Sequence, residues 1–239
     1  MLDRQGSGDG QPARQAHEAA PGPGDGVRAV VFDLDGVLVD SFEVMRQAFS
    51  VAYAEVVGEG EAPFAEYNRH LGRYFPDIMR IMGLPPEMER PFVRESRRLA
   101  SQVQVFAGIP ELLDSLRRRG VPAAVATGKT GERARALLTR LGLLDAFEVV
   151  IGSDEVVRPK PAPDMVRLAV SVLGAPAGRT VMVGDAVTDL HSARGAGVRA
   201  AAALWAGVDP EPLLRESPDV VLHSPAELLD LVATPVAAP

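Results

Sequence analysis

Two aspartates one residue apart, Asp33 and Asp35, close the apolar run Val30-Val31-Phe32, and Gly36 follows at once. Carboxylates at the end of a buried strand are costly unless a cation or hydrogen-bond donors hold them there. The two-residue period of a strand sends both side chains to one side. One of the pair can then bind or attack a ligand while the other handles a proton. Over so few residues, a strand running into an ordinary acidic turn looks the same.

Three later segments carry further reactive groups. Val125-Ala126 leads into Thr127-Gly128-Lys129, a hydroxyl followed by a glycine that frees backbone donors for an anion. Arg158-Pro159-Lys160-Pro161-Ala162-Pro163 sets Lys160 between two prolines that restrict its backbone, ahead of a proline suited to open a helix. Val181-Met182-Val183-Gly184 runs into Asp185, with Asp189 four residues later, near the first turn of a helix. Each has a plain explanation alone: turn residues, a proline-rich loop with a solvated lysine, an acidic helix start favoured by the dipole. Together and in this order they point to one site. Only Lys129 and Lys160 among the 25 basic residues are lysines. A lysine kept against that bias is notable, because arginine cannot imitate a compact ammonium.

The elements that must position these groups follow from the apolar pattern. Strand-like runs cover Val27 to Phe32, Val121 to Ala126, Val149 to Gly152, Thr180 to Gly184, Val198 to Ala203 and, weakly, Asp219 to Leu222. Helical stretches such as Pro110 to Arg119, Gly131 to Leu141 and Pro163 to Leu173 separate most of them. Continuous apolar strands alternating with helices predict an α/β fold with a parallel sheet covered on both faces. Ligands of such sheets bind beyond the carboxyl ends of the strands.

One interval breaks the alternation. From Ser41 to about Val105 only helical periods are found, with Phe42, Met45, Phe49, Ala52 or Tyr53, and Val56 on one stripe. Further helices are expected at Phe64 to Leu71, Pro76 to Met82 and Glu87 to Gln102. The expected organisation is a core at 27–40 and 106–239, a helical cap at 41–105 beside the aspartates, and a disordered tail at 1–26. The absence of cysteine excludes disulfides and thiolate chemistry. A net charge of −7 argues against a non-specific binder of nucleic acid or of an anionic membrane surface. No apolar run approaches the roughly 20 residues that span a bilayer. These features predict a soluble, cytoplasmic protein, monomeric or homodimeric.

Taken together, the segments resemble the haloacid dehalogenase (HAD) superfamily of phosphohydrolases, over essentially everything after the tail. Asp33-Leu34-Asp35-Gly36 resembles its first motif, Thr127 its second, Lys160 its third, and Gly184-Asp185 with Asp189 its fourth. The resemblance implies a Rossmann-like doubly wound parallel sheet with a small α-helical cap, as in the phosphoglycolate phosphatase and β-phosphoglucomutase branch. It implies that Asp33 attacks phosphorus to form an aspartyl-phosphate and that Asp35 serves as acid and then base. It also implies Mg²⁺ on the carboxylates of Asp33 and Asp185 and the backbone carbonyl of Asp35, with Asp189 behind them. Thr127 and Lys160 would hold the phosphoryl oxygens of a small phosphorylated substrate, with Gly36 and Gly128 beside them. Many relatives carry Asn where this chain has Gly128. Dehalogenating relatives dispense with the second aspartate and the metal, so Asp35 favours a phosphatase.

Specificity is expected from the cap. Gly72-Arg73 resembles the substrate loop of this branch, where Arg73 would meet a second anionic group; the alternative is a solvated surface arginine, one of 23 in the chain. His70 and His191 are read as packing or surface residues. The strings Arg69 to Pro85 and Val183 to Leu190 resemble phosphatases associated with 3-amino-5-hydroxybenzoic acid, a starter unit of ansamycin and mitomycin antibiotics. That implies a phosphorylated amino-sugar or aminoshikimate-type precursor. Phosphoglycolate phosphatase and a β-phosphoglucomutase-like phosphomutase are the alternatives.

Overall fold

The computed structural model describes residues 26–207 and 209–232. The tail expected at 1–26 therefore lies, Gly26 apart, outside the described residues. Strand β1 (Ala29–Phe32) leads through β2 (Val39–Asp40) into helices α1 (Phe42–Val56), α2 (Phe64–Asn68), α3 (Phe75–Met82) and α4 (Glu89–Arg98), which return through β3 (Gln104–Val105). Alternation follows: α5 (Ile109–Arg118), β4 (Ala123–Thr127), α6 (Gly131–Arg140), β5 (Val149–Gly152), α7 (Asp164–Leu173), β6 (Thr180–Gly184), α8 (Val187–Ala196), β7 (Arg199–Ala203), α9 (Glu211–Arg215) and β8 (Val220–Leu222). Six strands form one parallel sheet in the order β5-β4-β1-β6-β7-β8. No helix among the described residues is long and apolar enough to cross a membrane.

Every residue of β1, β4 and β6 is buried, because helices cover both faces of the sheet. Period-2 alternation splits the core in two. Val30, Phe32, Val125 and Val183 pack under Leu112, Leu116 and Leu138 of α5 and α6. Val31, Ala124 and Met182 pack under Met165, Val166, Leu190 and Ala193 of α7 and α8. Strands β5 and β6 fall where the apolar runs end. The others begin later than the runs suggest: Pro122 has no N–H for the ladder, and Val27 forms an isolated bridge with Val232.

The helices between β2 and β3 have a separate core of Met45, Phe49, Tyr67, Phe75, Ile78, Met79, Met88 and Phe92. Its rings stack, Phe49 on Tyr67 with centroids 4.6 Å apart and Phe75 on Phe92 at 4.2 Å. The buried face of α1 is Val44, Met45, Ala48, Phe49 and Ala52, one step round from the expected stripe. Phe42 is 41% exposed: it lines a cavity and meets the edge of the helical core through a T-shaped contact with Phe64, centroids 5.4 Å apart. The helix expected at Glu87 to Gln102 is α4 between two single 3₁₀ turns, Pro86–Met88 and Ala100–Gln102. Nor is the interval strand-free: β3 pairs antiparallel with β2, tying the chain's exit from the sheet to its return.

Candidate active site

Strand order reverses at β1, and the site forms there. Phe32 lies opposite Val125 of β4 and Val183 of β6. Asp33 is the next residue, and its N–H donates to the Val183 carbonyl at 2.9 Å. Two residues beyond the paired positions stand Thr127 on one side and Asp185 on the other. Gly36 turns the chain back with φ +77°, and a Cβ there would overlap the Asp185 carboxylate. Only glycine permits both the turn and the close approach.

Lys160 is buried at the centre. Its Nζ donates to Asp33 Oδ1 at 2.8 Å, to Asp189 Oδ1 at 2.7 Å and to the Ala126 carbonyl at 3.0 Å, which commits all three protons. The second oxygen of Asp189 accepts the Ala186 N–H at 3.1 Å at the start of α8. One carboxylate oxygen from each of Asp33, Asp185 and Asp189 lies within 4.8 Å of the others. Three carboxylates face one ammonium. Burial pushes the Asp33 carboxyl up to about 7, against the pull of Lys160. Burial and the charges of Asp33 and Asp189 push Asp185 well above the usual carboxylate range.

Asp35 stands apart. Lys129 Nζ donates to both its oxygens and Ser41 Oγ donates to one. Burial works to raise the Asp35 carboxyl, but Lys129 and Ser41 outweigh it and hold the group below 3.8. Lys129 was not among the expected site residues; its signal in the sequence was lysine scarcity. Thr127 is fully buried, its hydroxyl oxygen accepting the Lys129 N–H at 3.2 Å.

The helical insertion closes over these groups. A cavity of about 70 Å³ is lined by Asp33, Asp35, Gly36, Arg73, Gly128 and Asp185 among the expected residues, with Lys129, Arg133 and the rings of Tyr67, Phe75 and Phe92 in addition. Thr127, Lys160 and Asp189 lie behind its wall. The Gly72-Arg73 loop seats on the core: a Cβ at Gly128 would stand 2.6 Å from the Arg73 carbonyl oxygen and 2.9 Å from that of Gly72. That packing accounts for glycine at 128, where asparagine would displace the loop. His70 lies against Glu66 and His191 against Glu216, both away from the site. Trp205, just after β7, donates to the Val37 carbonyl at 3.0 Å and so backs the turn that holds Gly36.

A Rossmann-like parallel sheet gathering buried carboxylates at its switch point, under an inserted helical layer, defines an α/β enzyme that works with side-chain carboxylates. Residues 30–203 match the model of the haloacid dehalogenase-like hydrolase family, and the chain belongs to that family. It is 35% identical over 227 residues to Probable phosphatase IndB of Dickeya dadantii, covering 87% of this chain and 97% of that one. It is 30% identical over 218 residues to the phosphoglycolate phosphatase of Pectobacterium atrosepticum, covering 86% and 92% respectively. The crystal structure of a hydrolase from Pseudomonas syringae superposes with a TM-score of 0.75 at 25% identity, covering 85% of this chain and 96% of that one. The protein is thus a HAD-type hydrolase related to phosphoglycolate phosphatases.

Proposed function

We propose that the protein is a Mg²⁺-dependent phosphomonoesterase that works through an aspartyl-phosphate on Asp33. One observation carries the reading: Asp33, Asp185 and Asp189 converge within 4.8 Å, and among the described residues Lys160 is the one ammonium in ion-pair contact with the group. Asp33 and Asp185 are both raised by burial and by neighbouring carboxylates, which marks a shortage of positive charge, and no described residue donates a hydrogen bond to the Asp185 carboxylate. A hard divalent cation with oxygen ligands fits that deficit. Asp33 and Asp185 would hold it, with Asp189 behind them and the Asp35 carbonyl completing the protein's share. When bound, the ion compensates charge on the phosphoryl oxygens.

Asp33 attacks phosphorus in line, and the bond to the leaving oxygen breaks as Asp35 gives that oxygen a proton. Ionised Asp35 then takes a proton from the water that attacks the aspartyl-phosphate, which frees Asp33 and releases inorganic phosphate. Thr127 and Lys160 keep the phosphoryl group and Asp33 in register. Helices α1–α4, within 41–105, act as the cap, and the Gly72-Arg73 loop carries specificity. The substrate class we favour is a small phosphorylated precursor of 3-amino-5-hydroxybenzoic acid. Phosphoglycolate is the second reading, on the strength of relatives named for it.

A phosphate-release screen over phosphoglycolate, hexose phosphates and kanosamine phosphate, with Mg²⁺ or with a chelator, tests this. Release should need Mg²⁺, proceed steadily without a bisphosphate activator, and fall at least roughly a thousandfold in Asp33→Asn. Unchanged Mg²⁺-dependent release in that variant would refute the mechanism. Equal slow rates on every ester would sink the pathway reading alone.

A further inference from the structure

Arg133, in the first turn of α6, lines the site cavity yet makes no hydrogen bond or ion pair with any described residue. Its guanidinium carbon stands 5.6 Å from the centre of the Phe92 ring. That cation–π contact places the guanidinium beside the ring, and none of its N–H donors is spent on a described residue. Half-buried guanidinium groups with all donors unspent are costly, and a ligand anion is the natural partner.

Position decides which part of a phosphate ester Arg133 meets. Arg133 lines the cavity together with Asp35 and Lys129, and among carboxylates Asp35 acts on it most strongly. Asp35 is the group assigned to the leaving oxygen, so Arg133 stands on the leaving-group side, away from phosphorus. Lys129, the neighbouring ammonium, is already taken by Asp35. Of the two guanidinium groups on the cavity wall, those of Arg73 and Arg133, only that of Arg133 rests beside an aromatic ring, and one such group balances a monoanion. Tyr67, Phe75, Phe92 and Met45 supply the apolar walls around it. Beyond Ser41, Met45, Lys129 and Arg133, which serve both spaces, a second cavity of about 390 Å³ opens between α1, α4 and α6. A body larger than the first cavity has room to extend past Arg133.

We propose that Arg133 binds a carboxylate on the alcohol part of the substrate, so that the preferred substrates are phosphomonoesters of carboxylated alcohols with a ring-shaped or apolar body. The proposal rests on the phosphomonoesterase reading above and narrows its substrate class. Arg73 also lines the cavity, but no ring holds its guanidinium, and it belongs to the loop rather than to the sheet's own helices.

The test compares kcat/KM for 4-carboxyphenyl phosphate and 4-carbamoylphenyl phosphate, which share a ring and differ in charge. The wild-type protein should prefer the carboxylate on the order of tenfold or more. In Arg133→Met, whose apolar stem still covers Phe92, the ratio should fall to within about twofold of one; Arg133→Lys should restore part of it, and Arg73→Met should keep it. A purely structural Arg133 would slow both esters alike and leave the ratio unmoved, which overturns the proposal. So does a wild-type ratio near one, loss of the preference in Arg73→Met alone, or failure on both esters while other phosphomonoesters are cleaved. Absence of phosphate release from every ester refutes the phosphatase reading itself and the proposal with it.

Discussion

Lys160→Met removes the ammonium that joins Asp33, Asp189 and the Ala126 carbonyl, and replaces it with a side chain of similar length. Breaking a buried pair by deleting one partner costs about 3–5 kcal/mol, since the surviving carboxylates stay buried without compensation. For a chain of this size each kcal/mol moves the melting temperature by roughly 2–4 °C, so a fall of roughly 6–20 °C is expected near neutral pH. The effect depends on pH. The Lys160 ammonium is held above its ordinary value, its burial outweighed by Asp189 and Asp33, so its contribution is fully present throughout the acidic and neutral range. Asp33 sits at about 7 even with the lysine in place and rises further without it. Acid therefore relieves the variant by protonating the stranded carboxylates. Thermal unfolding followed by circular dichroism in a chelator, at pH near 5 and near 8, measures both. A deficit under about 3 °C near pH 8, or an equal deficit at the two pH values, would show that the cluster is not held as described.

Two further outcomes follow from the same geometry. Gly128→Asn forces the Gly72-Arg73 backbone away from its seat, so stability should drop by about 1–3 kcal/mol and KM should rise; unchanged melting and KM would mean that the loop does not close there. In metal-free protein, Asp33 is raised from 3.8 to about 7, so the folded state binds the extra proton. Stability should then fall as pH climbs through that window, by up to roughly 4 kcal/mol from this group. Mg²⁺ should raise the melting temperature more near pH 7.5 than near pH 5, and an ion effect independent of pH would contradict the carboxylate assignment.

The sheet was legible because its strands are buried on both faces and read as continuous apolar runs; β5 and β6 end where those runs end. β2 and β3 were not, since two residues hold no pattern and their pairing depends on where the chain returns after sixty-odd others. Phe42 misled because periodicity reports a greasy face without saying whether protein or an empty cavity lies opposite. Asp33, Asp35 and Asp185 could be picked out because they follow the end of a strand, Lys160 because it sits between prolines, and Asp189 because it stands four residues after Asp185 in the first turn of a helix. Arg133 could not: among 23 arginines, nothing local separates a solvated helix residue from one turned inward on Phe92.

The two lysines, scarce in the chain, divide the two aspartates in an instructive way. Burial keeps Asp33 raised against the pull of Lys160, which it shares with Asp189; at Asp35, Lys129 and Ser41 outweigh burial and keep the carboxyl low. That ordering is the reverse of what the proposed chemistry needs, which is an ionised nucleophile at Asp33 and a proton on Asp35 for the leaving oxygen. Both corrections come from loading the site. Added positive charge beside Asp33 and Asp185 brings Asp33 down. An anionic phosphoryl group seated beside Asp35 brings Asp35 up through like-charge repulsion, with Lys129 still paired to it. On the proposed mechanism, the first step calls for substrate and cation together, because each corrects a different one of the two carboxyls.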